Sequence, residues 1–159
     1  METNENAYDP TAALDDVQRT RSSLGDRAAA PWYYYPVHGL CTAAIVGSTA
    51  LVESSIVRIG LILLAAMVLG ALVAAYQKAT GLWVVYGTST GRSKVIWTTY
   101  GLFILALVGG AFAVQAWGPT WLGWVLTAAA FISSIICGRF IEPALRQDIA
   151  DGRTSPKAK

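Results

Sequence analysis

Four long apolar runs, almost free of charge, constrain this chain more than any other feature. Between Val37 and Gly138 the only carboxylate or cationic side chains are Glu53, Arg58, Lys78, Arg92 and Lys94. A helix that crosses the roughly 30 Å hydrocarbon layer needs about 20 apolar residues. Runs at about 35–52, 56–76, 95–117 and 120–140 reach that range, the first at its short end. Backbone in lipid must satisfy its own hydrogen bonds, which leaves helices and closed barrels. The runs are continuous rather than alternating, so they predict helices and not barrel strands. Charged residues make up 14% of the chain, against about 25% in soluble domains.

The connections set the order of the spans. Glu53-Ser54-Ser55 joins the first two and Gly118-Pro119 the last two, so each pair must fold back as a hairpin. The expected fold is all-α: an antiparallel four-helix transmembrane bundle with a cytoplasmic N-terminal amphipathic helix. Residues 1–30 read as a leader with a helix at about 10–28, 31–140 as the membrane domain, and 141–159 as a tail. Asp9-Pro10 has the form of a cap followed by proline at the first helical position. Leu14, Val17, Leu24 and Ala28 follow at helical spacing, with Arg21 interrupting the stripe. Residues 1–8 and the tail from Gly152 read as disordered, and Glu142 to Asp151 as a short helix after Pro143. The polar leader has no early apolar core, so no cleavable signal peptide is expected.

Cations give the orientation. Arg19, Arg21 and Arg27 precede the spans. Lys78, Arg92 and Lys94 flank the middle connection, and Arg139, Arg146, Arg153, Lys157 and Lys159 follow the last span. These fall on one side, and Arg58 alone on the other. Cationic residues near spans stay cytoplasmic. Both termini are therefore expected inside a plasma (inner) membrane and both tight turns outside. The net charge of +2 gives no reason to expect a nucleic-acid partner.

Aromatics mark the boundaries. Trp32, Tyr33, Tyr34, Tyr35, Trp83 and Trp97 fall at the inner level, Trp117 and Trp121 at the outer. Amphipathic rings anchor spans at such interfaces. The middle connection, Gln77 to Lys94, is long for a loop. Its Arg92, Ser93 and Lys94 suit either contact with a lipid phosphate or plain anchoring, with Ser93 as the cap of the third span. It lacks P-loop spacing.

Small residues recur four apart: Ala43 with Gly47, Ala66 with Gly70, Ala106 with Gly110, Gly109 with Ala113. Such pairs let helices approach closely in lipid. "GLCTAAIVG" from Gly39 also resembles "GLFILALVG" from Gly101, as in a duplicated hairpin.

Candidate chemistry is sparse. Glu53, Arg58 and Gln115 form an expected outer polar cluster, with Glu53 and Arg58 able to pair across the first turn. His38 and Cys41 share a helical face, and Cys137 lies at comparable depth. Three such ligands without a fourth are a weak metal signal, so no metal or cofactor is expected. No HExxH or GxSxG motif is present. Ser133, Ser134 and Thr127 have no base near in sequence, and span hydroxyls usually bond back to their own helix. The chain therefore does not read as an enzyme.

In plan the whole chain resembles the many uncharacterised small four-span bacterial membrane proteins, a resemblance of layout that implies location and no activity. It resembles small multidrug transporters in span number alone, because Glu53 stands at a turn and not within a span. The first expectation is a non-enzymatic accessory, regulatory or assembly protein whose partners are lipids and another membrane protein or a second copy of itself. The alternatives are a small oligomeric transporter or channel, and a lipid-binding or immunity-type protein.

Overall fold

The computed structural model describes residues 10–27, 30–80, 82–83, 91–151 and 157–158. It is helical, with α1 Pro10–Arg27, α2 Tyr34–Leu51, α3 Ser55–Thr80, α4 Arg92–Trp117 and α5 Thr120–Ala150. Two residues of β1, Leu82–Trp83, pair antiparallel with two of β2, Lys157–Ala158. Three helices, α3, α4 and the α5 stretch Thr120–Ile149, are long and apolar enough to cross a membrane.

Pro10 opens α1, where its missing N–H is no loss. The expected Asp9 cap, Ala28, the 1–8 leader and most of the tail beyond Asp151 lie outside the described residues. α5 differs from expectation. Instead of ending near Phe140 and restarting after Pro143, it runs unbroken through that proline to Ala150. Packing supplies the reason: Ile141, Ala144, Asp148 and Ile149 are all buried, so the turns flanking the proline are held by contacts.

α2 is the central helix. It packs on α3, α4 and α5, whereas α3 packs chiefly on α2. This explains why α2 is rich in small and hydroxyl residues: Cys41, Thr42, Ala43, Val46, Gly47, Ser48, Thr49 and Ala50 face protein and not the surroundings. Their hydroxyls are satisfied within the helix, Thr42 donating to the His38 carbonyl at 2.8 Å and Thr49 to that of Ile45 at 2.8 Å. α3 is the converse, with 11% of its most apolar stretch buried.

The core lies among three helices: Val46 and Ala50 of α2, Leu107 and Ala111 of α4, and Ala130 of α5. Glycines set how closely α2 and α5 approach. A Cβ on Gly39 would lie 3.1 Å from the Phe131 ring and 3.2 Å from the Phe131 carbonyl oxygen. One on Gly47 would lie 2.9 Å from Thr127 Oγ1, and Gly123 and Gly138 are similarly pressed against Leu51 and Tyr35. Rising residue numbers on α2 meet falling ones on α5, so the two helices run antiparallel. Gly70 and Gly109, by contrast, have nothing within 4 Å of such a Cβ.

Candidate functional site

Polar and aromatic side chains converge at the end of α2–α5 nearest α1. His38 comes from the first turns of α2, Tyr100 from the third turn of α4, and Ser134 from the middle of α5. Ser134 Oγ donates to the Ala130 carbonyl at 2.9 Å, which uses its only proton. Tyr100, 2.6 Å from the same oxygen, is then the donor of that contact. The Tyr100 oxygen is left to accept from His38 Nδ1, 3.5 Å away at the outer limit of a hydrogen bond. Three helices are thereby joined by one chain of hydroxyl and imidazole groups.

Rings close around this chain. Tyr34 stacks near His38 with centroids 6.3 Å apart and meets Tyr76 of α3 at 5.3 Å. Trp97 lies edge-on to Tyr100 at 6.3 Å. The cavity, partly open to the surface, is lined by Tyr34, Tyr35, His38, Trp97, Tyr100 and Ser134, with Cys137, Gly138 and Ile141 completing its α5 wall. About 10 Å³ is open to the centre of a water molecule, the least that holds one water. Ser134 gives its proton to its own helix and its lone pair to a phenol, so it is a node of the packing and not a poised nucleophile.

A second polar contact lies beyond this cavity. The backbone amides of Arg92 and Ser93 donate to the Asp148 carboxylate at 3.2 and 2.8 Å. Asp148 is 2% exposed. The α4 N-terminus, with its unpaired amides and partial positive charge, is capped by a side chain of α5. Ser93 was the expected cap; it stands instead inside the helix, its Oγ buried with no partner among the described residues. The amides that would have held a lipid phosphate already hold Asp148, while the Arg92 and Lys94 side chains are exposed.

The remaining sequence-derived residues are placed as follows. Trp32, Trp117 and Trp121 are exposed near helix ends. Tyr34, Tyr35 and Trp97 turn inward to the cavity, and Trp83 sits in β1 opposite Lys157. Tyr33 is half-buried beside Trp32. In the outer cluster, Gln115 Nε2 reaches the Val52 carbonyl at 3.4 Å, tying α4 to the end of α2. Arg58 reaches Ser55 Oγ at 3.4 Å, and no ion pair joins it to Glu53 among the described residues.

His38 and Cys137 share the cavity, whereas Cys41 is buried and does not line it. Among the described residues no three of His, Cys, Asp and Glu gather as a metal site. The network through Tyr100 and Ser134 and the cap by Asp148 were missed in the sequence. One signal for the latter was available: an aspartate in the last turn of a helix opposes that helix's own dipole, unless it serves another helix. No family model, curated protein or solved structure matches the chain.

Proposed function

We propose that the protein is a four-span plasma-membrane protein that acts as a non-enzymatic accessory or assembly partner, with both termini cytoplasmic. α2 joins the three strongly apolar helices as a span. Its 18 residues extend about 27 Å at 1.5 Å per residue, close to the hydrocarbon thickness. Its modest apolarity fits a helix that neighbours, and not lipid, surround. The placement of cations on one side supports the orientation.

One observation carries the partner reading. α1 is docked on α5, yet Leu14 and Val17 on that docked helix are 68% and 46% exposed. They are three residues apart and so share a face. Every described side chain of α1 is exposed, this apolar pair included, so the bundle leaves the pair uncovered for something else to meet. Native mass spectrometry of protein extracted from membranes tests this. A stoichiometric companion, a second copy or another chain, is expected, and Leu14→Ser with Val17→Ser is expected to weaken it. Protein that runs alone and monomeric at every concentration, with and without those changes, contradicts the reading.

A further inference from the structure

The hydrogen-bond chain that begins at His38 has a direction, and the direction decides what its open end can bind. The chain finishes on the Ala130 carbonyl, which can only accept. Ser134 therefore donates there, Tyr100 donates to Ser134, and His38 Nδ1 carries the proton that faces the Tyr100 oxygen. A neutral imidazole protonated at Nδ1 has a bare lone pair at Nε2. That nitrogen has no hydrogen-bond partner among the described residues, and it is not sealed from the surroundings. The open end of the chain is thus an acceptor in need of a donor.

The surroundings select the kind of donor. The cavity beside His38 is partly open to the surface and has room for one water-sized group. Tyr34, Tyr35, Trp97 and Tyr100 contribute rings to its wall. Neighbouring rings there, His38 included, have centroids 5.3, 5.9 or 6.3 Å apart, so an occupant meets several at once. Ring faces attract a cation within about 6 Å of the centroid. No cationic side chain lines the cavity among the described residues. Glu142 follows Ile141 of the wall and is close enough for its charge to act on the Tyr35 hydroxyl, although it also pairs with Arg146 at 2.9 Å. An anion would meet ring electrons and a lone pair, both unfavourable. A cation bearing N–H groups is favoured by both. A primary ammonium matches the room available, being about the size of a water molecule, whereas a trimethylammonium is far larger.

We propose that this cavity receives a primary ammonium group, which donates to His38 Nε2 and rests its charge among the four rings. Two sources carry that group: the headgroup amine of a lipid and a small soluble alkylamine. The lipid source is close at hand, because Tyr34 opens α2 and the end of a span lies at headgroup level.

His38 is the only histidine of the chain, so its ring nitrogens report without interference. Full-length protein with isotopically labelled histidine is held in a sugar-headed detergent at about pH 8, above the ordinary histidine range and below that of alkylamines. Nitrogen NMR is expected to show the proton at Nδ1 and a bare Nε2. Methylammonium is expected to shift the Nε2 resonance saturably, and tetramethylammonium at the same concentration to leave it in place. In a second arm, bilayer discs of phosphatidylcholine with and without phosphatidylethanolamine replace the detergent. A shift with methylammonium alone identifies a soluble amine as the source, a shift with phosphatidylethanolamine alone identifies the lipid, and shifts in both arms show that either serves. Tyr100→Phe removes the acceptor for the Nδ1 proton and is expected to weaken the response about fivefold, the scale of one hydrogen bond. Helical circular dichroism and elution volume show whether that variant folds; if it does not, the parent protein decides alone. A proton on Nε2, a resonance that no amine moves because the cavity holds water only, or equal shifts with methylammonium and tetramethylammonium overturns the proposal. So does an unchanged response in folded Tyr100→Phe protein.

Discussion

Two glycine substitutions, chosen as a pair, measure how much of the bundle depends on the close approach of α2 and α5. Gly39→Ala places a methyl 3.1 Å from the Phe131 ring, 3.2 Å from the Phe131 carbonyl oxygen and 3.3 Å from Ser134 Cβ. One of the three neighbours is backbone, so relief requires the helices to separate. Gly101→Ala places the same methyl on α4 with nothing within 4 Å. Alanine favours a helix interior over glycine by roughly 0.5–1 kcal/mol, and this gain is common to both variants. It cancels in the difference, which leaves the cost of overpacking, about 1–3 kcal/mol. Gly101→Ala is expected to match or slightly exceed the parent, and Gly39→Ala to fall below Gly101→Ala by that difference. Reversible unfolding in mixed micelles, followed by helical circular dichroism, reads both. Equal stabilities would refute the claim that glycine at position 39 sets the helix spacing.

Tyr100→Phe removes the donor to Ser134 but leaves Ser134 bonded to Ala130, so a loss of about 0.5–1.5 kcal/mol is expected in the same assay; no change would mean that the contact is not formed. The Arg146–Glu142 pair is 2.9 Å apart on one face of α5, with the two side chains 42% and 28% exposed. Glu142→Gln is expected to shift stability by no more than about 0.5 kcal/mol, as for exposed pairs of this spacing; a loss of several times that would show a deeper role for Glu142.

The sequence announced the helices and concealed their neighbours. Apolar runs bounded by charge are sufficient to locate α3, α4 and the first part of α5, because lipid tolerates nothing else for such a length. What lies beside each helix depends on shape. Gly39 and Gly101 occupy the same place in two similar segments, yet one is pressed against Phe131 and the other faces open space. No periodicity separates them. α2 was legible as a helix and read as a short span, but its small and hydroxyl residues do not announce that it is the centre. The end of α5 was misread because Pro143 usually stops a helix; here burial of Ala144, Asp148 and Ile149 overrides it. The aromatics were read as anchors from their level in the chain. That level is shared by rings that project outward, such as Trp32, and by rings that line a cavity, such as Trp97. Asp148 left a trace in its misfit with its own helix end, whereas the contact of Tyr100 with Ser134 joins residues with no pattern between them.

The central claim is that α2 crosses the bilayer with its three more apolar neighbours and that both tight turns emerge on the far side from α1. Single cysteines at Thr11, Ser54 and Gly118, introduced with Cys41→Ala and Cys137→Ala, test it in intact cells with an impermeant maleimide. Labelling of positions 54 and 118 from outside, and of position 11 only after permeabilisation, is the predicted result. Positions 11 and 54 behaving alike would show that α2 does not cross, and would contradict the account.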